Sequence, residues 1–246
     1  MYHFFVEDEN VFEGHIDITG NDYNHLKNVL RIRVGEELLI SSKAGDNYMC
    51  KVSELKEDAV ECEILSKTDY DYELPSKIYL FQGLPKSDKM EMIIQKAVEL
   101  GAYEIIPVAT KRSIVKLDAK KEASKISRWQ AISESAAKQS KRSIIPYVSS
   151  VMSFKEAIKY AASMDIKIIP YENAKGMQGT RELFMNIEKG KSIAIFIGPE
   201  GGFDESEIEL AMESGIQPVT LGKRILRTET AGLATLSMLV FVLEEN

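Results

Sequence analysis

The pattern of apolar and polar positions changes near residue 73. Residues 1–72 alternate apolar and polar side chains over short stretches separated by turns, a pattern typical of a small antiparallel barrel or sandwich. Leu26, Val29 and Leu30 at helical spacing predict one helix over about 21–31. The polar, proline-containing stretch 67–76 marks a boundary between domains at 1–72 and 73–246. The predicted strands of the first domain are 15–18, 37–41, 48–52 and 59–65.

From residue 77 the pattern alternates between strands and helices. Runs of apolar residues without polar alternation indicate strands covered on both faces, so we predict an α/β domain with a mostly parallel sheet and helices on both faces. The final helix is apolar nearly all round, which places it in the core or against another subunit. Asp88 and Glu91 predict a capping box at the start of the first helix. The predicted strands are 77–82, 103–108, 165–169, 192–197 and 218–221. One predicted helix begins near residue 88, and two others span 120–142 and 229–243.

Two of these strands end in glycine loops. Gly198-Pro-Glu-Gly-Gly202 follows strand 192–197, and Gly222 follows strand 218–221. Glycine lets a backbone approach a ligand closely, and open α/β sheets bind ligands at the carboxyl ends of their strands. Two such loops at neighbouring strand ends predict one pocket, the candidate active site.

Several familiar glycine-containing motifs for nucleotide binding or hydrolysis are absent from the sequence. Gly190-Lys191-Ser192 resembles the end of a phosphate-binding loop, but Met185 occupies the first glycine position and the motif precedes its strand. The sequence has neither a dinucleotide-binding Gly-x-Gly-x-x-Gly nor a Gly-x-Ser-x-Gly nucleophile elbow. From these residues alone, plain tight turns remain the alternative.

The net charge of −7 taken alone argues against a nucleic-acid partner, but the charge is unevenly distributed. Residues 1–72 hold 7 basic and 16 acidic side chains, a net of −9, whereas residues 86–142 hold 13 basic and 7 acidic, a net of +6. A local basic tract on an acidic protein can mark a surface that binds a polyanion. A solvated helix face is the alternative.

The cysteine and histidine content and the hydropathy of the chain bear on disulfides, metal binding and membrane spans. Only Cys50 and Cys62 are present, which favours buried thiols in a reducing compartment over a disulfide. The three histidines, in the first domain, match no metal-ligand spacing, so no metal is expected. No membrane span and no secretory segment is recognised, which predicts a cytoplasmic protein.

The two glycine loops carry a family resemblance. Ile197-Gly-Pro-Glu-Gly-Gly-Phe203 followed by Leu221-Gly-Lys-Arg-Ile-Leu-Arg-Thr-Glu-Thr-Ala231 resembles the two signature motifs of the ribosomal RNA small subunit methyltransferase E family, in the SPOUT (α/β-knot) superfamily. The resemblance spans the whole chain. It is supported by the segments 25–31, 86–91, 95–96, 99–101 and 139–142.

The resemblance implies a fold and an activity. The first domain would be a PUA-like β-barrel that helps to hold RNA, and the second a SPOUT domain with a deep trefoil knot at its C-terminus. S-adenosylmethionine would bind in the knot, and a homodimer would complete each site. The reaction would be methylation of uridine N3 in small-subunit (16S) ribosomal RNA, free or in the small ribosomal subunit.

Site residues follow from the motifs. Leu221, Gly222, Ile225, Leu226 and Ala231 would surround the cofactor, although core packing is the alternative for Ile225 and Leu226. The full predicted cofactor set is Ile197, Gly198, Pro199, Glu200, Gly201, Gly202, Leu221, Gly222, Ile225, Leu226, Arg227, Thr230 and Ala231.

The chemistry of uridine N3 suggests the catalytic residues. N3 becomes a nucleophile when its proton is lost, and a guanidinium can stabilise the resulting charge on O2 and O4, which selects Arg227. Glu229 is a candidate base or cofactor-orienting group, and Glu200 is another; either could instead complement the charge of a helix N-terminus. The candidate phosphate contacts, each alternatively a solvated charge, are Arg31, Lys86, Arg112, Lys138 and Arg142.

Other functions remain open from the sequence. One is a SPOUT methyltransferase that acts on a ribose 2′-hydroxyl or on transfer RNA, which nucleoside analysis of the product would distinguish. Another is a non-catalytic RNA-binding protein with a degenerate knot, which failure to bind S-adenosylmethionine would favour. The intact glycine loops count against this last possibility.

Overall fold

The computed structural model describes residues 1–68, 72–172, 174 and 176–244. The chain divides into two compact units, one of 1–73 with 137–145 and the other of 74–136 with 146–246. The sequence did not predict that 137–145 groups with the N-terminal residues. The proposed domain limits, 1–72 and 73–246, stay a prediction, and residues 69–71 of the predicted boundary stretch lie outside the described residues.

The described part of the first unit contains a five-stranded sheet in the order β1-β3-β4-β5-β2. All four strands expected there are present, and their pairings with one another are antiparallel. The strand that the sequence did not predict is β1, which pairs parallel to β3. Its alternation is masked because His3 is buried and hydrogen-bonded to Ser41. The strands are β1 (Tyr2–Val6), β2 (His15–Thr19), β3 (Glu37–Ser42), β4 (Asn47–Leu55) and β5 (Ala59–Thr68).

The helical segment predicted at 21–31 is present in two parts. Helix α1 spans Gly20–Asn24, and a π-helical turn continues it over His25–Leu30. Arg31 ends the turn with a left-handed backbone, at φ 51°. Cys50 and Cys62 are buried free thiols, as expected, and burial raises the pKa of each to about 12.

The described residues of the second unit form a seven-stranded sheet in the order β12-β10-β11-β6-β7-β8, with β9 also paired to β7. Every pairing in it is parallel, which confirms the predicted sheet type. The strands are β6 (Lys77–Gly83), β7 (Glu104–Ala109), β8 (Tyr147–Val148), β9 (Met152–Ser153), β10 (Ile166–Pro170), β11 (Ser192–Ile197) and β12 (Gln217–Val219).

Helices cover both faces of this sheet, as predicted. Phe81 and Phe196 stack at 4.4 Å and pack with α4 and α6 on one face. On the other face, a Cβ built on Gly232 of α7 would lie 3.8 Å from Leu80 Cδ1, so α7 packs directly on β6. The trefoil knot stays a prediction. The helices are α2 (Lys89–Glu99), α3 (Ala119–Ser140), α4 (Phe154–Tyr160), α5 (Met177–Met185), α6 (Glu205–Glu213) and α7 (Thr228–Leu243), and none of those in the described ranges could cross a membrane.

The capping box predicted at the start of α2 is wrong. Asp88 precedes the helix but its side chain makes no cap hydrogen bond. Glu91 accepts a hydrogen bond from Arg128 of α3 at 2.7 Å, and Lys125 lies 3.7 Å from Asp88 and 3.8 Å from Glu91. Both carboxylates therefore face the cations of a neighbouring helix. Capping boxes occur instead at Ser153/Glu156 and Asp204/Glu207.

Candidate active site

A cavity of about 520 Å³ lies at the carboxyl edge of the parallel sheet. The loops that follow β10, β11 and β12 form most of its wall. Every residue of the predicted cofactor set lines it except Thr230, which is exposed on α7 outside the lining. The two glycine loops therefore meet at one cavity.

The two loops do not follow neighbouring strands, which corrects the sequence-based prediction. Strand β10 lies between β11 and β12 and pairs with both. The residues after β10, Tyr171 and Glu172, consequently line the cavity as well. The sequence signal was available, because 165–169 was itself a predicted strand ending at this edge. The other lining residues that were not predicted are Lys89, Pro170, Phe203, Thr220, Lys223, Arg224 and Thr228.

The first loop, 198–202, is closed by its own glycines. A Cβ on Gly198 would lie 3.0 Å from the backbone carbon of Gly202, and Gly202 itself has φ 67°. A Cβ on Gly83, at the end of β6, would lie 2.7 Å from Pro199 N. Gly83 and Gly198 are therefore required for packing of the loop itself, because a side chain at either position would collide with the loop backbone.

The second loop, 220–227, is open to the cavity. Gly222 has φ 109°, and a Cβ there would meet nothing within 4 Å. Its amide donates to Thr220 Oγ1 at 3.3 Å. Ile225 is 85% exposed, so the alternative of core packing is wrong for this residue, and Leu226 is half-buried. The loop therefore offers an apolar surface beside an unobstructed backbone.

Two carboxylates approach Lys89, one from the first loop and one from the first turn of α7. Glu200 accepts hydrogen bonds from Lys89 Nζ at 3.0 Å and from the Lys86 amide at 3.1 Å. Burial acts to raise the pKa of Glu200, but these hydrogen bonds outweigh it and the pKa is lowered. The hydrogen bond with Glu200 raises the pKa of Lys89. Glu229, in the first turn of α7, places Oε2 3.5 Å from Lys89 Nζ with its side chain 14% exposed.

Arg227 is positioned at the cavity by its backbone. It is the N-cap residue of α7, with extended φ −66° and ψ 156°, and its side chain is exposed. Within the described ranges its guanidinium has no hydrogen bond or ion pair, so neither kind of bond must break for it to reach a substrate.

The predicted phosphate contacts separate into two groups. Arg31 and Lys86 are exposed, and their side chains pair with none of the described residues. Arg112 is also exposed and donates to the carbonyl of Gly201 at 3.1 Å, which places it on the first loop.

Lys138 and Arg142, the other two candidate phosphate contacts, are already paired with carboxylates, and the alternative of a solvated charge is wrong for Arg142. Arg142 is 3% exposed and forms an ion pair with Glu73, so its guanidinium is buried and committed. Lys138 Nζ donates to both carboxylate oxygens of Asp22 at 2.9 Å. The helical pattern alone could not reveal these partners, because both acids are distant in sequence.

One side-chain cluster has a composition suited to a metal. Ligand atoms of His15, Asp17 and Glu61 lie within 4.8 Å of one another. Lys56 already pairs with Asp17 at 3.5 Å and with Glu61 at 2.6 Å, so both carboxylates share one cationic partner.

Fold and site together define an RNA methyltransferase. The RNA methyltransferase domain family matches residues 72–240, and the RNA methyltransferase PUA domain matches 18–65. Ribosomal RNA small subunit methyltransferase E of Bacillus subtilis is 40% identical over 231 residues, which cover 92% of this chain and 90% of the relative. The chain belongs to the ribosomal RNA small subunit methyltransferase E family, which confirms the resemblance of the two loops.

Further relatives agree with this assignment. The Mesomycoplasma hyopneumoniae protein of the same name is 35% identical over 96% of this chain and 98% of the relative. The crystal structure of ribosomal RNA small subunit methyltransferase E from Neisseria gonorrhoeae, bound to S-adenosyl methionine, has a TM-score of 0.86 at 36% identity and covers 99% of this chain and 98% of its own.

Proposed function

We propose that this protein transfers the methyl group of S-adenosylmethionine to N3 of a uridine in 16S ribosomal RNA. The observation that carries the proposal is the cavity of about 520 Å³ in which both family-signature loops meet. It lies in a chain whose relative from Neisseria gonorrhoeae was solved with S-adenosyl methionine.

The lining residues fit this cofactor. Ile225 and Leu226 offer apolar surface for an adenine ring, and the open backbone at Gly222 allows close approach. Glu200 places a carboxylate on the wall, suited to a cationic sulfonium or amine, and Glu229 lies outside the lining beside Lys89. When bound, S-adenosylmethionine supplies an activated methyl group.

The chain's residues would prepare the nucleophile. Uridine N3 would lose its proton, and the electron pair left on N3 would form the new bond to the methyl carbon while the carbon–sulfur bond of the sulfonium breaks and leaves S-adenosylhomocysteine. Arg227 would stabilise the charge that spreads to O2 and O4, because a planar guanidinium presents several donors at once. Glu229 is the proposed proton acceptor, because hydrogen bonds from Lys86 and Lys89 make Glu200 a weaker base, whereas Glu229 lies farther from Lys89, at 3.5 Å.

The proposal extends to partners. Arg31, Lys86 and Arg112 are the exposed cations proposed to contact phosphates of ribosomal RNA, free or within the small subunit. A homodimer is proposed because Phe241, an apolar side chain on the mostly apolar helix α7, is 85% exposed. The reaction as proposed uses no metal and takes place in the cytoplasm, where the ribosomal substrate would be.

The proposal is tested with purified protein, S-adenosylmethionine carrying a labelled methyl group, and small subunits or naked 16S RNA lacking the modification. We expect calorimetric binding of the cofactor and a single labelled nucleoside, N3-methyluridine. A 2′-O-methyl nucleoside or labelled transfer RNA would support the alternative methyltransferase. Absence of cofactor binding would support the RNA-binding protein without catalysis.

A matched pair of glycine variants tests the siting of the cofactor. Gly222 and Gly190 both have positive φ, at 109° and 81°, and both have open space around the Cβ position. Gly222→Val should weaken cofactor binding, whereas Gly190→Val carries similar backbone strain far from the lining and should not. Equal affinities in the two variants would reject this site.

A further inference from the structure

A chain of buried hydrogen bonds joins the first residue of α7 to both β6 and the first glycine loop. Thr228 is 5% exposed, and Gln82, near the end of β6, is 0% exposed. Gln82 Nε2 donates to Thr228 Oγ1 at 2.8 Å. Thr228 Oγ1 donates to the carbonyl oxygen of Gly198 at 2.6 Å. We refer to these two bonds as the Thr228 chain.

The chemistry of its members fixes the direction of the Thr228 chain. A carbonyl can only accept, so the single hydroxyl proton of Thr228 goes to Gly198. Thr228 Oγ1 must then accept from Gln82, whose Nε2 also donates to the carbonyl of Gly83 at 3.0 Å. Both partners of this nitrogen are acceptors, which assigns the amide orientation. Removing the hydroxyl would leave a buried donor and the Gly198 carbonyl without this partner.

The Thr228 chain lies where the two loops that line the cavity meet α7. Gly198 begins the first loop, and Thr228 directly follows Arg227, which ends the second loop. In the described part of the chain, residues 223–226 make no hydrogen bond that would hold the second loop in place. Its position therefore depends on its two ends, one of which is attached directly to Thr228.

We propose that Thr228 and Gln82 are positioning residues for methyl transfer, whose hydrogen bonds hold the two cofactor loops at a fixed separation and orient Arg227 toward the cavity. The inference rests on the proposed function, because it assigns these residues to the same site. Without the Thr228 chain the loops sample wider separations, and the apparent affinity falls in proportion to the competent fraction. A competent fraction of roughly one-tenth raises Kd about tenfold.

The test compares two buried threonines of the same helix. Thr228→Val removes the bridging hydroxyl while keeping the β-branched shape. Thr235→Val is the matched control, because Thr235 is 0% exposed and, among the described residues, its hydroxyl bonds only to the Ala231 carbonyl within α7, at 2.8 Å. We expect Thr228→Val to raise the Kd for S-adenosylmethionine about tenfold and to lower kcat further, with Thr235→Val near wild type in both.

Two more variants separate positioning from general stability. Thr228→Ser keeps the hydroxyl and should restore affinity and kcat, and Gln82→Met breaks the chain at its other end. In a double-mutant cycle on cofactor affinity, Gln82→Met and Thr228→Val should be strongly non-additive, because each breaks the same unit. If Thr228→Val does not fold, Gln82→Met with Thr228→Ser decides the question.

Outcomes for this inference and for the proposed function are distinct. Wild-type protein that binds no S-adenosylmethionine would overturn the function and the positioning role together. Wild-type binding combined with wild-type affinity and kcat in Thr228→Val, or in Gln82→Met, would overturn the positioning role alone. So would a parallel loss of melting temperature and affinity in Thr228→Val and Thr235→Val alike.

Discussion

Arg227 is the side chain at the cavity most suited to act on the transition state. Its interaction would grow as negative charge develops on the uracil ring, so it should affect turnover more than cofactor binding. We expect Arg227→Ala to reduce kcat about a hundred- to a thousand-fold, with Kd for S-adenosylmethionine within a few-fold. Arg227→Lys should recover only part, because a point charge lacks the planar fork. Single-turnover kinetics and calorimetry measure the two quantities.

The control for Arg227 is Arg181→Ala, which removes an exposed guanidinium from α5, outside the lining of the cavity. Weak cofactor binding with normal turnover at saturation would make Arg227 a cofactor residue. A lower melting temperature with a proportionate loss of activity would make it structural.

Glu200 gives the site a pH dependence of stability. Burial acts to raise its pKa, but hydrogen bonds from Lys89 and the backbone prevail, so the folded-state pKa lies below the ordinary 4.5. The stabilisation is therefore present above pH 4.5 and is lost as pH falls through the lower folded-state value. We expect wild type to melt above Glu200→Gln at neutral pH, and the gap to close in acid. A gap independent of pH would contradict this, and Glu188→Gln serves as the surface control.

At the residue scale, the two sequence motifs predicted most of the residues that line the cavity but not the hydrogen bonds between them and the rest of the chain. Leu221 and Gly222 line the cavity as expected, because they are local to one loop. Thr228 was overlooked as a mid-motif residue, since its partners Gln82 and Gly198 are remote in sequence. Long-range hydrogen bonds between single side chains leave no periodic signal to detect.

At the scale of elements, the segment 137–145 is fastened to the N-terminal unit by a buried ion pair. The side chains of Arg142 and Glu73 are 4% and 17% exposed, and the same carboxylate accepts from the amide of Ser143 at 2.9 Å. Breaking a buried pair from one side leaves an uncompensated charge, so Arg142→Ala should destabilise by about 3–5 kcal/mol. Urea denaturation measures this loss.

Two comparisons sharpen the Arg142 prediction. Removing both partners, in Glu73→Ala with Arg142→Ala, should lose less than the sum of the single changes. Lys121→Ala breaks a pair with Asp118 whose side chains are 71% and 58% exposed, and should change stability far less than Arg142→Ala does. Equal losses for Arg142→Ala and Lys121→Ala would mean that burial adds nothing.

Strand prediction succeeded where the sequence is continuously apolar. The observed β11, Ser192–Ile197, has the predicted limits because it is covered on both faces and bounded by turns. It failed at β1, where buried His3 reads as a polar position, and at the Asp88 cap, where cations of α3 attract both carboxylates. Burial of polar groups and competition between partners depend on tertiary structure, so the local pattern could not reveal them.

At the scale of the whole molecule, α7 predicts self-association. Its buried face packs on the sheet, yet Phe241 is 85% exposed. We expect a homodimer by light scattering at micromolar concentration and a shift toward monomer in Phe241→Glu, because a charge would have to be desolvated in the interface. Val34→Glu, at a residue 60% exposed on the first unit, is the control. A monomeric wild type would reject the dimer, and an unaffected Phe241→Glu would reject this face.

The assignment of 137–145 to the N-terminal unit has a consequence for biosynthesis. A nascent chain emerges from the ribosome in order, at roughly 5–20 residues per second, and domains commonly fold as they appear. Glu73 would leave the exit tunnel several seconds before Arg142 does. The N-terminal unit therefore cannot finish folding as soon as its strands are made. Its last contacts form only after residues 74–136 of the second unit have been synthesised. Expression of residues 1–73 alone would release a chain that lacks the partner of its buried carboxylate.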